Sequence, residues 1–171
     1  MRERMLGALP VSEVGLGCMP MSWAYNVENA DPAESRATLH RAIELGVTLL
    51  DTADVYGPYT NEEVIRRYVV DDGLRDRVVI ATKGGLVPID ATSYGRDGKP
   101  ESIAKACEAS IGRLGVDHID LYQLHRVDPQ VPIEETWGAM AQLVADGKVR
   151  FLGLSEVTVE EIQRADAVYP V

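Results

Sequence analysis

Short apolar runs alternate with longer segments of helical periodicity along the whole chain. The apolar runs predict five strands, at residues 14–18, 48–52, 78–82, 119–124 and 150–154. The segments that follow them predict five helices, near residues 32–45, 61–69, 102–114, 133–145 and 159–167. Nearly continuous apolar strands separated by helices are typical of a parallel sheet that is covered on both faces. The pattern therefore predicts an α/β protein.

The ends of the predicted helices carry capping residues. Asp31 and Pro32 are suited to open the first helix, and Thr158 with Glu161 forms the pattern of a capping box. Three glycines stand where a helix must end on a left-handed residue: Gly46, Gly115 and Gly147. The periodicity of the third helix predicts a buried face of Ile103, Cys107, Ile111 and Leu114.

The spacing of the strands limits the possible architectures. Predicted strand centres recur about every 34 residues, which suits consecutive βαβ units in either an open doubly wound sheet or a (β/α)₈ barrel. The doubly wound dinucleotide fold needs a third glycine after Gly15 and Gly17, and the sequence lacks it. Eight units would need about 270 residues, whereas the chain has 171. The doubly wound fold is therefore the weaker alternative. If the fold is a TIM (β/α)₈ barrel, we expect one domain over residues 1–171, truncated to about five βα units, with residues 168–171 beginning a sixth strand.

Composition and charge exclude several partners. The chain is 46% hydrophobic and 26% charged, as in ordinary globular proteins, and its net charge is -10 with no basic cluster. We therefore expect neither a nucleic-acid partner nor an anionic membrane surface. No run reaches the roughly 18 apolar residues of a membrane span, and the start of the chain lacks a signal-peptide pattern. Cys18 and Cys107 lie far apart, which predicts free thiols in the cytoplasm.

Polar residues follow the predicted strands at a regular place. Asp51 ends the second strand, and Tyr56 follows it in the next loop. Lys83, His125 and Ser155 follow the third, fourth and fifth strands. Because the carboxyl ends of parallel strands meet at one face, where ligands bind in α/β proteins, we expect these side chains to lie close together.

This set of groups suits protonation of an oxygen. A tyrosine phenol has an ordinary pKa near 10, and a neighbouring ammonium lowers it by favouring the phenolate. A carboxylate behind the lysine would keep it charged, and a histidine could hydrogen-bond the substrate oxygen. The set includes no obvious nucleophile and no pattern of metal ligands. A hydride from a nicotinamide is then the natural attacking group.

Five motifs, in order, resemble the aldo-keto reductase family. They are Gly15-Leu16-Gly17-Cys18-Met19, Asp51-Thr52-Ala53-Asp54-Val55-Tyr56-Gly57, Thr82-Lys83, Leu124-His125-Arg126-Val127-Asp128-Pro129 and Gly153-Leu154-Ser155. The similarity covers essentially the whole chain, including residues 6–14, which resemble the hairpin that closes the bottom of that family's barrel.

The resemblance implies a TIM barrel that binds NADP(H) and reduces small aldehydes or ketones. Tyr56 would be the general acid for reduction, and Lys83 would favour its phenolate form. Asp51 would pair with Lys83, and His125 would orient the carbonyl group. Trp23 and Tyr25 would wall the substrate pocket.

The same resemblance assigns the nicotinamide end of the cofactor. The residues that would contact it are Gly17, Cys18, Met19, Asp51, Ser155 and Glu156. Glu156 departs from the asparagine that many members carry, although some members have serine followed by glutamate. In the family, the residues that hold the adenosine 2′-phosphate and the aromatic residue that stacks on the nicotinamide come after the fifth unit, beyond this sequence.

Each candidate also has a plain structural interpretation. Asp51 alone could cap a turn, Tyr56 could be a packed surface ring, and His125 could be a core histidine. The alternative for the whole chain is a truncated reductase without activity, which would act only through assembly. In that case the first and fifth strands would be open sheet edges, through which we expect self-association.

Overall fold

An N-terminal hairpin packs against the start of the sheet. In the computed structural model, which describes residues 1–25, 31–90 and 93–171, strands β1 (Glu3–Leu6) and β2 (Leu9–Ser12) pair in antiparallel fashion. Ser12 and Thr48 exchange hydrogen bonds, each backbone N–H donating to the other hydroxyl oxygen at 2.8 Å. These bonds hold the hairpin at the amino-terminal ends of the parallel strands.

A five-stranded parallel sheet forms the centre of the molecule. The strands in chain order are β3 (Leu16–Gly17), β4 (Leu49–Asp51), β5 (Val79–Gly84), a separate antiparallel hairpin of β6 (Leu86–Pro88) and β7 (Tyr94–Arg96), then β8 (Ile119–Leu124) and β9 (Val149–Leu154). The sheet order is β3-β4-β5-β8-β9, with every pair parallel. Consecutive units therefore lie side by side, as the barrel prediction requires.

Among the described residues, five α-helices follow the sheet strands. They are α1 (Pro32–Glu44), α2 (Asn61–Ile65), α3 (Pro100–Leu114), α4 (Ile133–Ala145) and α5 (Val159–Asp166). The Asp31 carboxylate accepts from the N–H of Ala33, and Thr158 and Glu161 form the predicted capping box. Gly46, Gly115 and Gly147 all have positive φ, so the three glycine stops are confirmed.

The core lies between the sheet and the helices. Leu50, Ile80 and Tyr122 from the strands are buried with Trp137 and Met140 of α4. On α3 the predicted face is buried at Ile103, Cys107 and Leu114, whereas Ile111 is only half-buried. Ser110 occupies the buried position beside it and accepts a hydrogen bond from Arg113.

One local prediction was wrong, one helix differs in type from the prediction, and one hairpin was not predicted. Residues 168–171 form no strand, because this segment is bonded to helices α4 and α5: Trp137 Nε1 of α4 donates to the carbonyl of Tyr169, and the N–H of Val171 donates to Asp166 of α5. The second helix is α-helical only to Ile65 and continues as a π-helical turn over Arg66–Val70. The β6–β7 hairpin was not predicted, and it accounts for the long interval between the third and fourth strands of the sheet.

An ion cluster closes the amino-terminal end of the sheet. Asp120 is buried, pairs with Arg75 at 2.7 Å and Arg150 at 3.1 Å, and accepts from the N–H of Ile80. A buried carboxylate with these partners joins three parts of the fold. Over the described ranges, the chain has no helix long and apolar enough to cross a membrane.

Candidate active site

Three polar residues meet at the carboxyl ends of adjacent strands. Asp51 is the last residue of β4, Lys83 lies near the end of β5, and His125 directly follows β8. The N–H of His125 donates to the carbonyl of Gly84 at 2.9 Å, so the backbone pairing continues to the histidine. The parallel sheet therefore brings together residues that lie far apart in the sequence, as their strand-end positions predict.

Lys83 is a buried ammonium with three oxygen neighbours. Its side chain is 8% exposed, and Nζ donates to Asp51 Oδ1 at 2.6 Å and to the carbonyl of Thr52 at 2.8 Å. The third neighbour is the Tyr56 hydroxyl oxygen, 3.5 Å from Nζ. Since a buried ammonium is costly without partners, these contacts explain how the lysine is accommodated at the end of an apolar strand.

The loop between β4 and α2 fixes Tyr56 above this lysine. The N–H of Asp54 donates to the carbonyl of Lys83, and the N–H of Asn61 donates to the carbonyl of Tyr56. Gly57 adopts φ +81°, and a Cβ there would lie 2.5 Å from Ser22 Oγ. The residue after Tyr56 must therefore be glycine for the loop to close in this way.

Aromatic rings surround the phenol. Trp23 stacks on Tyr56 with ring centroids 5.1 Å apart, and His125 meets Tyr56 edge-on at 5.8 Å. Tyr94 of β7 packs edge-on against Trp23 at 5.2 Å. Tyr94 was missed by the sequence analysis because its hairpin was missed. Tyr25, predicted beside Trp23, is 79% exposed and makes no ring contact with the described aromatic residues.

His125 is neutral in this setting. Its side chain is buried, and burial lowers its pKa to about 3, with further lowering by Lys83 and Arg126. Its Nδ1 atom is buried and has no hydrogen-bond partner among the described residues. A neutral imidazole has one N–H donor and one acceptor nitrogen, so the ring retains unused hydrogen-bonding capacity beside the phenol.

The predicted cofactor loop after β3 packs against the same strand ends. The N–H of Cys18 donates to the carbonyl of Asp51 at 2.8 Å, and burial raises the pKa of the Cys18 thiol to about 12. This thiol is therefore unreactive, and the fully buried Cys18 contributes backbone hydrogen bonds that fix the loop. Gly17 has open space where a Cβ would lie, and Met19 packs in the small cluster that contains Tyr56.

Asn61 is a site residue that sequence reasoning missed. Its buried amide donates to the carbonyl of Cys18 at 2.9 Å and to Ser22 Oγ at 2.8 Å, and it accepts from Thr52 Oγ1 at 2.6 Å. One side chain thus joins the loop after β3 to the end of β4. Only its position five residues after Tyr56 could have indicated this role.

Asp54 lies in a second buried group behind the loop. Burial and the neighbouring Glu62 raise the pKa of Asp54 to about 7, and its Oδ1 atom has no partner among the described residues. Glu62 is fully buried, pairs with Arg113 at 2.6 Å and accepts from Thr82 Oγ1 at 2.6 Å. These groups lie on the helix side of the strands and were not predicted.

The end of β9 places Ser155 and Glu156 at the rim of the site. The N–H of Ser155 donates to the carbonyl of Leu124 at 3.1 Å, next to His125. Arg126 donates to Ser155 Oγ at 3.1 Å and pairs with Glu156 at 2.6 Å. The Glu156 side chain thus binds an arginine of the preceding unit, a contact the sequence analysis did not include.

The assembled groups suit a flat polar ligand and a carbonyl oxygen. The phenol of Tyr56 and the imidazole of His125 offer hydrogen bonds deep in the site, and the Ser155 hydroxyl offers one at the rim. These features fit the nicotinamide end of a dinucleotide. No group of three or more His, Cys, Asp or Glu that could hold a metal occurs within the three described ranges.

Comparison with solved structures gives close matches. A glycerol dehydrogenase from Gluconobacter oxydans shares 34% identity, with 99% of this chain covering 52% of that chain at a TM-score of 0.83. An aldo-keto reductase from Bacillus halodurans, in its holo form, is 35% identical to this chain. The match covers 91% of this chain and 50% of the reductase, with a TM-score of 0.79. An aldo/keto reductase from Klebsiella pneumoniae, in complex with NADP and acetate, is 33% identical to this chain. The match covers 91% of this chain and 49% of the reductase, with a TM-score of 0.74.

These relatives are TIM barrels, and the chain spans about half their length. Its parallel sheet corresponds to five units of such a barrel, which confirms the predicted fold class. The sequence model of the Aldo/keto reductase family matches residues 13–171. The chain therefore belongs to the aldo/keto reductase family.

Proposed function

We propose that this chain supplies the catalytic half of an NADP(H)-dependent oxidoreductase that reduces small aldehydes or ketones to alcohols. The observation that supports this proposal best is the position of the Lys83 ammonium. It lies 3.5 Å from the Tyr56 hydroxyl and is held by Asp51 and by the carbonyl of Thr52. A phenol with a fixed neighbouring cation is suited to give up a proton.

In this proposal Tyr56 is the general acid. Its hydroxyl donates a proton to the carbonyl oxygen as negative charge grows there, and the ammonium of Lys83 stabilises the phenolate that remains. Asp51 keeps the lysine charged and directed at the phenol. A reduced nicotinamide supplies the hydride when it is bound. In the reverse direction Tyr56 accepts the proton.

His125 and the aromatic rings orient the substrate. The neutral imidazole donates a hydrogen bond to the carbonyl oxygen without placing a second cation beside Lys83. Trp23, stacked on Tyr56, forms an apolar wall for the carbon side of the substrate. Tyr25 remains a predicted substrate contact at the exposed edge of this wall.

The choice of NADP(H) is supported by the relatives. Two Klebsiella pneumoniae structures, each 33% identical to this chain, contain NADP or NADPH. We assign the nicotinamide end of the cofactor to the six residues named from the sequence: Gly17, Cys18, Met19, Asp51, Ser155 and Glu156. The hydroxyl of Ser155 would donate to the carboxamide group and so orient the ring.

The test is NADPH-dependent reduction of 4-nitrobenzaldehyde by the 171-residue chain at high nucleotide concentration, followed by the loss of NADPH absorbance. Turnover should fall by about 10²-fold or more in Tyr56→Phe, as expected when a general acid is removed. Tyr68→Phe, on the π-helical turn away from the site, is the matched control and should keep wild-type turnover. Turnover that survives in Tyr56→Phe would refute the assigned acid.

A second candidate is a non-catalytic role through assembly. Within the described residues, β3 pairs only with β4 and β9 only with β8, so each presents an unpaired strand edge. We propose self-association through these edges, since open parallel edges bind other strands. Sedimentation velocity over a range of concentrations should show dimers or larger species. A strictly monomeric chain that turns over aldehyde would exclude this second candidate.

We also propose a cytoplasmic location. Both cysteines are free and buried, and burial raises the pKa of each thiol to about 12. Such thiols suit a reducing compartment, because they neither pair nor react readily. Labelling with a thiol reagent should modify neither cysteine in the folded chain and both after denaturation.

A further inference from the structure

Arg126 makes three polar contacts that join two strand ends. Its Nη1 atom donates to the carbonyl of His125 at 2.6 Å and to Ser155 Oγ at 3.1 Å. Its Nη2 atom lies 2.6 Å from Glu156 Oε1. The guanidinium therefore links the residues that follow β8 to those that follow β9. The side chain is 26% exposed, so the site partly encloses it.

The guanidinium determines how the Ser155 hydroxyl can be used. Arginine only donates hydrogen bonds, so Ser155 Oγ must be the acceptor of this contact. The hydroxyl proton then points away from Arg126, and the nearby positive charge favours donation by the O–H over a second accepted hydrogen bond. A serine without this neighbour could either donate or accept.

Glu156 completes the arrangement. Its backbone has φ +51°, a conformation that non-glycine residues rarely adopt without support from their surroundings. Its carboxylate pairs with Arg126, and its side chain otherwise faces solvent. Glu156 therefore holds the arginine in place, in addition to any contact that it makes with a bound cofactor.

We infer that Arg126, held by Glu156, is a positioning residue that presents the Ser155 hydroxyl as a hydrogen-bond donor to the carboxamide oxygen of the nicotinamide. This inference rests on the proposed function, because it requires Ser155 to face the nicotinamide. It adds the direction of the hydrogen bond and the residue that sets it. Arg126 itself need not touch the cofactor.

The first test is a double-mutant cycle on nucleotide binding, read by fluorescence of reduced nicotinamide mononucleotide. Arg126→Ala and Ser155→Ala should each weaken binding by about tenfold, the effect of one lost hydrogen bond. The double variant should be no weaker than Ser155→Ala alone, because both changes remove the same interaction. Glu156→Gln should weaken binding less than Arg126→Ala, and Arg126→Lys should restore part of the affinity.

Arg164→Ala is the matched control. Arg164 also pairs with a glutamate, Glu134, at 2.7 Å, but on the helices. This variant should keep wild-type affinity. Urea unfolding of every variant separates a loss of binding from a loss of folding.

The second test distinguishes the direction of the hydrogen bond. The 3-acetylpyridine analogue of the mononucleotide keeps the carbonyl oxygen of the carboxamide and replaces its amino group by methyl. If Ser155 donates to that oxygen, Arg126→Ala weakens binding of the analogue by the same factor as for the natural mononucleotide. If Ser155 instead accepts from the amino group, Arg126→Ala leaves the affinity for the analogue unchanged, and the inference is wrong.

Two further results would overturn the inference while leaving the proposed function intact. They are a folded Arg126→Ala variant that binds the mononucleotide as the wild type does, and a tenfold loss that persists in the Ser155→Ala background. A wild-type chain that binds neither nucleotide would contradict the proposed function as well, so the two failures are distinguishable.

Discussion

Two buried side chains in or near the loop that carries Tyr56 have shifted pKa values, and their effects on stability change with pH in opposite directions. Burial lowers the pKa of His125 to about 3, whereas burial and Glu62 raise the pKa of Asp54 to about 7. The folded chain thus holds a neutral imidazole and a carboxyl that is partly protonated near neutral pH. Each group makes folding depend on pH in its own window.

For His125 we expect stability to fall as the pH falls. The unfolded chain binds a proton below pH 6.5, whereas the folded chain binds it only near pH 3. In that window the group lowers the free energy of unfolding by at most about 1.4 kcal/mol per pH unit. The free energy of unfolding of His125→Gln, measured with urea, should therefore fall less steeply with decreasing pH than that of the wild type. Equal slopes for the two proteins would mean that the histidine is already charged when folded.

For Asp54 the sign is reversed. The folded carboxyl keeps its proton up to about pH 7, whereas the unfolded one loses it near pH 3.8. Stability from this group therefore decreases as the pH rises from 3.8 to 7. Asp54→Asn, which mimics the protonated form, should gain stability over the wild type progressively across that range and by a constant amount above it. A difference that does not change with pH would contradict this assignment.

At the scale of elements, one amide organises the mouth of the sheet. Asn61 begins α2, yet its side chain bonds to the loop after β3 and to Thr52 at the end of β4. Its backbone N–H also holds the carbonyl of Tyr56. The positions of Tyr56 and Lys83 therefore depend on a residue that belongs to neither strand.

Asn61→Ala should lower the free energy of unfolding by about 2–4 kcal/mol, because it leaves the buried Thr52 hydroxyl without its acceptor and removes two further hydrogen bonds, to the carbonyl of Cys18 and to Ser22 Oγ. Thr158→Ala, which removes an exposed helix cap, is the reference and should cost about 1 kcal/mol. Chemical denaturation measures both. A cost for Asn61→Ala no greater than that of the cap would show that its hydrogen bonds are replaced by water.

The helices and sheet strands were predictable because their signals are local. Short stretches of sequence are enough to indicate the helix caps at Asp31 and Thr158 and the positive-φ glycines. Helix α4 was predicted at its observed bounds, Ile133–Ala145. The β6–β7 hairpin was not predictable in this way. Its strands have three residues each, and neither alternates strongly between apolar and polar positions.

The site was predictable where a polar, titratable side chain lies at the end of an apolar strand. Asp51, Lys83 and His125 interrupt apolar runs, so their convergence follows from a parallel sheet. The contacts of Asn61 and Arg126 join separate loops, and no periodic pattern encodes such pairs. The structure places Lys83 beside Tyr56, whereas the catalytic roles remain predictions.

At the scale of the whole molecule, the two ends of the sheet differ. The carboxyl end holds Lys83, Tyr56 and His125, whereas the amino end holds Asp120 between two arginines. Ligands bind at the carboxyl end of such sheets, and the opposite end contributes stability. Substitutions at the two ends should therefore separate function from folding.

Asp120→Ala should reduce the free energy of unfolding by about 3 kcal/mol, because it leaves Arg75 and the N–H of Ile80 without their shared partner. Nucleotide binding by the folded fraction should remain at the wild-type value. Calorimetry and fluorescence titration of the same sample measure the two properties. Weakened binding in the folded variant would show that the two ends are coupled.

The aromatic wall is assembled from three separate segments, and this has a consequence for how substrate preference can evolve. Tyr94 packs against Trp23 from a hairpin inserted between β5 and α3, whereas Tyr56 and Lys83, to which the proposed function assigns the proton transfer, lie on the loop after β4 and on β5. Insertions or exchanges in that hairpin can reshape the pocket while the acid and its ammonium stay in place. Under the proposed function, substrate selectivity and the rate of the chemical step would therefore depend on separate sets of residues.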